Sequence, residues 1–308
     1  MLKLTIGTRG SSLALVQANW VKDRLLQHYP KYQIQVLPIK TTGDQMKNVP
    51  LSQMGGKGAF IKEIEMALLD GRIDLAVHSM KDLPGELPPE LTIAAITRRE
   101  DPFDVFVSQT YTGLEKLPPR ATIATGSLRR KVQLLHYRSD FVIKEIRGNV
   151  DTRLKKLKSG CAEGLVLAAA GLKRLNRKSS ISQYLHPAIC LPAAGQGALG
   201  IEARGNDVSL KKKLAVLHDA EAGPTVTAER SCLYHLGVDC HTPATAYGEI
   251  TGGSILLKGF VASPDGTVIV KKKMLGPQED AELLGELLAK KIITGGGREL
   301  LAHLSRQQ

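Results

Sequence analysis

The feature that most constrains the fold is one device used twice: a short apolar run, a turn of small residues with arginine beside it, then a helical pattern. Residues 2–6 alternate as a strand, and Thr8-Arg9-Gly10-Ser11-Ser12 leads into a helix with Leu13, Val16, Trp20 and Leu25 expected on or near one face. The serine pair supplies the N-cap. Tyr32, Ile34 and Val36 mark a second strand. A helix carrying Phe60, Ile64 and Leu68 stops at Asp70-Gly71, and residues 73–77 read as a buried strand ending at His78-Ser79-Met80-Lys81-Asp82-Leu83-Pro84. The middle third repeats the theme. Strand 122–124 turns through Thr125-Gly126-Ser127 into a helix with Leu128, Val132 and Leu135. Strand 141–143 leads through Arg147-Gly148-Asn149 into a helix with Val150, Leu154 and Leu157, and residues 165–167 form a further strand. Such alternation means βαβ units and a largely parallel sheet, so the fold class is α/β.

Residues 191–197 are hinge-like, and residues 199–201 resume a strand. After Gly223-Pro224 the character changes. A hairpin is expected from residues 255–257 and 268–270 around Ser263-Pro264-Asp265-Gly266, then an amphipathic helix over 282–292 with Leu283, Leu284, Leu287 and Leu288. This end reads as a separate small α+β domain. A length of 308 residues suits two or three domains. The long polar stretch 40–58, with glycines at 43, 55, 56 and 58, is expected from its length to be a functional or a mobile loop. No apolar run approaches the ~18–20 residues that span a bilayer. The first residues lack a basic leader followed by an apolar stretch, so no secretory signal is expected. Cys161, Cys190, Cys232 and Cys240 are then free thiols of a reducing cytoplasm.

Charge narrows the function. The chain has a formal net charge of +12, and residues 120–180 hold 15 Lys and Arg against 4 Asp and Glu, a net +11. Such a field attracts anions. Nucleic acid is one candidate and a small polycarboxylate or polyphosphate the other. Aromatic residues make up 4% of the chain, which weakens the case for base stacking. A Gly/Ser turn at a helix N-terminus presents free N–H groups to an anion, although a serine there is ordinarily just a cap. Arg9 lies in the first turn, and Arg129 and Arg130 directly follow the second. Arg147, Arg153 and Arg174 fall at strand ends or first helical turns. The planar guanidinium matches carboxylate with two parallel hydrogen bonds, and open α/β sheets bind ligands at the carboxyl ends of their strands. A solvated basic face is the plainer reading. Lys81-Asp82 follows a buried strand. A carboxylate there can steady an N–H-rich cation and move a proton, or simply form a local ion pair. Cys232, His235, Cys240 and His241 fit no common zinc spacing, so no metal is expected. Cys240, in a loop just before Pro243, is either a reactive or a buried, inert thiol.

Seven ordered stretches carry a resemblance. They are Ile6-Gly7-Thr8-Arg9-Gly10-Ser11-Ser12-Leu13-Ala14, Gly55-Gly56-Lys57-Gly58-Ala59-Phe60, Ala76-Val77-His78-Ser79-Met80-Lys81-Asp82-Leu83-Pro84, Gly126-Ser127-Leu128-Arg129-Arg130, Arg147-Gly148-Asn149-Val150-Asp151-Thr152-Arg153-Leu154, Ala170-Gly171-Leu172-Lys173-Arg174-Leu175 and Pro192-Ala193-Ala194-Gly195-Gln196-Gly197. Over essentially its whole length the chain resembles the porphobilinogen deaminase family. The resemblance implies two lobes like those of periplasmic binding proteins with a cleft between them, 1–97 with 198–215 and 98–197. A small α+β domain, 216–308, carries the cofactor-attachment cysteine. It implies a transferase that joins four porphobilinogen molecules head to tail, releasing ammonia, to give hydroxymethylbilane for tetrapyrrole and haem biosynthesis.

The resemblance also implies one covalent dipyrromethane cofactor per chain, held by a thioether at Cys240, which Ala228-Glu229-Arg230 and Pro243 flank. Relatives usually carry two glycines before this cysteine and Gln-Val-Pro after it. This chain has Val238-Asp239 before and His241-Thr242-Pro243 after. Asp82 is implied as the catalytic carboxylate that stabilises the cationic pyrrole nitrogens. Lys81, Asp82, Ser127, Arg129, Arg130, Arg153, Arg174 and Gln196 would hold the cofactor. Arg9, Ser11, Gln17, Lys57, Phe60, Arg147, Arg153 and Arg174 would hold substrate or the growing chain, with stretch 40–58 as a lid. Every pyrrole unit bears an acetate and a propionate, a load that the basic segment matches. The implied protein is a cytoplasmic monomer whose partner is porphobilinogen, with no metal, nucleic acid or membrane. A non-catalytic, receptor-like anion-binding module is the alternative.

Overall fold

The computed structural model describes residues 2–45, 61–238 and 242–305. In chain order the elements begin with β1 (Leu2–Arg9), α1 (Ser12–His28), β2 (Tyr32–Ile39), α2 (Thr42–Gln45), α3 (Lys62–Leu69), β3 (Leu75–Ser79) and β4 (Leu91–Ile96). They continue with β5 (Asp104–Val107), β6 (Thr122–Ala124), α4 (Leu128–Tyr137), β7 (Val142–Lys144), α5 (Val150–Lys158), β8 (Gly164–Ala168), α6 (Ala169–Arg174) and β9 (Gln183–Tyr184). Then come β10 (Leu199–Arg204), α7 (Val208–Leu214), α8 (Ala222–Leu236), β11 (Ala244–Thr251), β12 (Ser254–Ala262), β13 (Ile269–Gly276), α9 (Ala281–Ile292) and α10 (Arg298–Ser305). The chain divides into two compact units, Met1–Glu100 with Ala198–Gly223, and Asp101–Gly197 with Pro224–Gln308.

The first unit holds a five-stranded sheet in the order β2-β1-β3-β10-β4. β1 runs parallel to β2 and β3, whereas β10 is antiparallel to both β3 and β4. One face packs on α1 and α7 through Ile6, Leu75, Val77, Ile201 and Leu214. The expected face of α1 needs correction. Ala14, Gln17, Ala18, Val21 and Leu25 are buried, while Val16 and Trp20 are 38% and 40% exposed. At 100° per residue, 14, 18, 21 and 25 share a stripe that 16 and 20 do not. The two alanines let the helix sit close to the sheet, and the outward Trp20 ring is covered by the Arg24 guanidinium at 5.4 Å. The opposite sheet face receives α3 through Ile64 and Leu68, each worth about 1.5–3 kcal/mol when fully buried.

The second unit repeats this topology. Its order is β7-β6-β8-β5-β9, with β6 parallel to β7 and β8, and β5 antiparallel to β8 and β9. β5 therefore occupies the place that β10 occupies in the first sheet. The same unit contains the antiparallel sheet β11-β12-β13. α8 and α9 cover it around Cys232, Leu257 and Leu288. Val132 of α4 and Leu191 share a second apolar cluster with Tyr247 and Phe260. Sequence reading finds the β12–β13 hairpin but misses β11. The signal was Gly252-Gly253, whose φ values of 58° and 81° suit a two-residue hairpin turn.

Candidate functional site

In the first unit the implied residues gather where β1 and β3, parallel neighbours, end. Arg9 is the last residue of β1, and Ser11 caps α1 by accepting from Ala14 N at 3.3 Å. Thr8, fully buried, ties the two strands by donating to Val77 O at 3.2 Å. Gln17 points inward at 3% exposure, and its Nε2 donates to Ser79 Oγ at 2.8 Å. From Ser79 the chain enters a 3-10 turn, Met80–Asp82. Met80 and Leu83 are buried and Asp82 is exposed, so two apolar anchors present the carboxylate between them. β10 is cut to fit this turn. A Cβ at Gly200 would meet Leu83 Cδ1 at 2.7 Å and Met80 Sδ at 2.8 Å, and Met80 N donates to Ala198 O at 3.0 Å. Below it His78 Nε2 lies 3.0 Å from Glu202 Oε2, both side chains buried. Glu65 on α3 has its carboxyl pushed up, by burial and then by the Glu202 charge.

In the second unit Ser127 caps α4, accepting from Arg130 N at 3.4 Å. The turn before it needs glycine, because a Cβ at Gly126 would stand 2.7 Å from Ile146 O. Arg129 and Arg130 are 7% and 5% exposed, and both guanidiniums meet Asp104, which is fully buried at the start of β5. Asp104 Oδ1 accepts from Arg130 Nε at 3.1 Å, Arg130 Nη2 at 2.7 Å and Gln196 Nε2 at 2.9 Å. Asp104 Oδ2 lies 2.8 Å from Arg129 Nη1 and accepts from Cys190 Sγ at 3.2 Å. Arg129 also donates to Leu191 O at 2.5 Å, and Arg130 to Val166 O at 3.1 Å. Burial alone would raise the Asp104 pKa. Arg129 and then Arg130 reverse that and hold it well below the ordinary carboxylate range. The Cys190 thiol is pushed up to about 12, by burial and then by Asp104. Two guanidiniums against one carboxylate leave this buried cluster with an excess positive charge. Planar guanidiniums of this kind are suited to pairing with carboxylate oxygens.

Arg147 and Arg153 flank the N-terminus of α5. Asn149 caps it, accepting from Thr152 N at 2.9 Å, and Gly148 takes a φ of 110°. Arg153 Nε donates to Gly148 O at 2.7 Å, and Arg147 pairs with Glu145 at 2.8 Å. Arg174 closes α6 and donates to Gly197 O at 2.7 Å. Part of the basic field serves the fold itself. Lys155, Lys156 and Lys158 occupy the last turn of α5, where the helix dipole favours cations. Arg138 pairs with Asp140 and donates to the carbonyls of Leu114, Leu117 and Pro118.

The segment ahead of β10 is built by glycine. Gly195 and Gly197 have φ values of 69° and 94°. The buried Glu229 of α8 accepts from Gly195 N at 2.6 Å and from Gly248 N at 2.7 Å. Cys232, on the same helix, is fully buried, and burial followed by the Glu229 charge pushes its thiol up to about 12. His235 Nδ1 lies 2.9 Å from Ser231 O. Cys240, His241, Lys57, Phe60 and most of the 40–58 stretch lie outside the described residues. Sequence reasoning missed the parts played by Asp104, Cys190, Glu202 and Glu229. An acid four residues after Glu100 reads as surface until its arginines, 25 and 26 positions on, are placed beside it.

Two family models match the chain. "Porphobilinogen deaminase, dipyromethane cofactor binding domain" covers residues 4–212, and "Porphobilinogen deaminase, C-terminal domain" covers residues 224–294. Porphobilinogen deaminase of Geobacter sulfurreducens is 46% identical over 306 residues, 99% of this chain and 96% of that protein. The protein of that name from Syntrophus aciditrophicus is 47% identical over 305 residues, 99% of this chain and 100% of the other. That from Nitrosomonas europaea is 47% identical over 303 residues, 98% of each. Among solved structures, a putative methionine-binding lipoprotein of Bacillus subtilis gives a TM-score of 0.44 at 14% identity, covering 71% of this chain and 91% of that one. A YaeC-family lipoprotein of Enterococcus faecalis gives 0.45 at 13% identity, covering 71% and 93%.

Proposed function

The chain belongs to the porphobilinogen deaminase family, and from that premise we propose which of its residues do the work. It is a transferase that joins four porphobilinogen molecules head to tail, with loss of ammonia, to give hydroxymethylbilane in tetrapyrrole biosynthesis. The dipyrromethane cofactor, when bound, supplies the pyrrole from which the chain is extended. The non-catalytic anion-binding alternative is not favoured, since the identity runs through the full length and both family domains.

Asp82 is the catalytic carboxylate. Ammonia leaves the aminomethyl carbon of the substrate and makes it electrophilic; the free α-carbon of a pyrrole would bond to that carbon and give up its own proton. A carboxylate held on the Met80–Asp82 turn would accept a hydrogen bond from the pyrrole N–H and help carry away the α-carbon proton. Lys81, Ser127, Arg129, Arg130 and Gln196 hold the cofactor carboxylates, with Arg153 and Arg174 shared between cofactor and growing chain. Arg9, Ser11, Gln17, Arg147, Lys57 and Phe60 hold substrate. Cys240 carries the thioether. Residues 216–308 are the domain bearing that cysteine, beside the lobes 1–97 with 198–215 and 98–197. The protein works as a cytoplasmic monomer without nucleic acid or membrane, and no helix among the described residues is long and apolar enough to cross a bilayer.

The observation that carries the reading is the identity of 46–47% across essentially the whole chain, together with the buried, net-positive arginine pair that suits carboxylate. Intact mass followed by peptide mapping tests the attachment. A two-pyrrole adduct is expected on the peptide containing Cys240, absent in Cys240→Ala and retained in Cys232→Ala. An adduct on the Cys232 peptide would overturn the assignment.

A further inference from the structure

We propose that Asp104 is the positioning residue for the cofactor: a buried carboxylate that sets the forks of Arg129 and Arg130, and the amide of Gln196, in place before any ligand carboxylate arrives. The inference rests on the reading that these residues hold the cofactor. Three observations carry it. Asp104 gathers donors from two separate stretches of chain, Arg129 and Arg130 on α4, and Cys190 and Gln196 on the glycine-built segment. Each arginine is fixed a second time by a carbonyl, Arg129 by Leu191 O and Arg130 by Val166 O, so neither guanidinium is free to swing. The charges do not balance. One arginine would neutralise Asp104, so the second leaves the cluster with a net positive charge. A site with one negative and two positive charges, all buried, is preset for one further anion, and ordering the forks in advance lowers what binding must spend on side-chain freedom.

A packing role and a positioning role rank two variants in opposite order. Asp104→Asn keeps the shape and removes the charge. Asp104→Glu keeps the charge but overfills a fully buried position. Cofactor-free full-length chain is exposed to porphobilinogen, and the rate at which the adduct mass appears is read by intact mass spectrometry, beside a thermal melt of each variant. Positioning predicts that Asp104→Glu loads within about threefold of the natural chain. Asp104→Asn should load about tenfold to a hundredfold more slowly, the worth of one hydrogen bond to a charged group. Loading that is better in Asp104→Asn than in Asp104→Glu overturns the inference. Arg129→Lys and Arg130→Lys test the underlying reading. If both load normally, the cofactor assignment itself fails. If both are impaired while Asp104→Asn is normal, only the role of Asp104 falls. Should neither Asp104 variant be soluble, the Arg130 side-chain Nε–H resonance in the unsubstituted cofactor-free chain decides, assigned with Arg130→Lys. A slowly exchanging proton is expected, and a rapidly exchanging one refutes presetting.

Discussion

Replacing Asp82 by asparagine is expected to separate chemistry from folding in this protein. The side chain is exposed on a three-residue turn, and among the described residues its carboxylate has no hydrogen-bond or ion-pair partner. The turn is held by Met80 at 1% exposure and Leu83 at 7%, seated against Gly200, none of which Asp82→Asn disturbs. Folding stability is therefore expected to stay within about 0.5 kcal/mol of the natural chain, the range of ordinary surface substitutions. Turnover is a different matter. Losing one well-placed electrostatic stabiliser raises the barrier by about 2.7–4 kcal/mol, a rate loss of about 10²–10³. The assay is porphobilinogen consumption per mole of adduct-bearing chain, so that cofactor content is divided out, with urea unfolding of the same preparation. A loaded variant turning over within about threefold of the natural protein would refute the catalytic role. A stability loss above about 1 kcal/mol would refute the account of the turn.

Arg130→Ala is expected to do the reverse. It strips a buried carboxylate of a partner and should cost about 3–5 kcal/mol in urea unfolding, before any effect on catalysis is measured. Acid should expose the same cluster. Asp104 has its pKa depressed in the fold, so its contribution is complete at neutral pH and down to about pH 4, and is lost as pH falls further toward the folded value. Unfolding free energies at pH 7, 4 and 3 are expected to fall more steeply below pH 4 for the natural chain than for Asp104→Asn, and equal slopes would contradict this.

Much of the fold is legible because its signals are local. The two strand–turn–helix devices announce themselves through short apolar runs and small-residue turns. What sequence hides is long-range pairing. β5 opens with an acid that looks solvated, and only the return of Arg129 and Arg130 makes its burial sensible. α1 misleads because its largest side chains face out while alanines and Gln17 face in. At the site, the ordered motifs of the resemblance supplied residue identities. Spacing alone left Arg129 and Arg130 as equally good candidates for a solvated face, since a charge run carries no record of which carboxylate it meets. Glu229 was invisible for the same reason. Its partners are backbone N–H groups of Gly195 and Gly248, which no side-chain pattern reveals.

The placement of β10 also sets a timetable. β4 sits at the sheet edge and hydrogen-bonds to β10, and β3 takes β10 along its other side. Yet β10 leaves the ribosome about 100 residues after β4 is complete. At roughly 5–20 residues per second, the nascent first unit spends about 5–20 s with β3 and β4 both lacking that partner. During that interval the turn that presents Asp82 has no Gly200 to rest on. The end of β3 that leads into Asp82 is thus expected to be among the last parts of its own unit to take shape, although its residues are among the first hundred made.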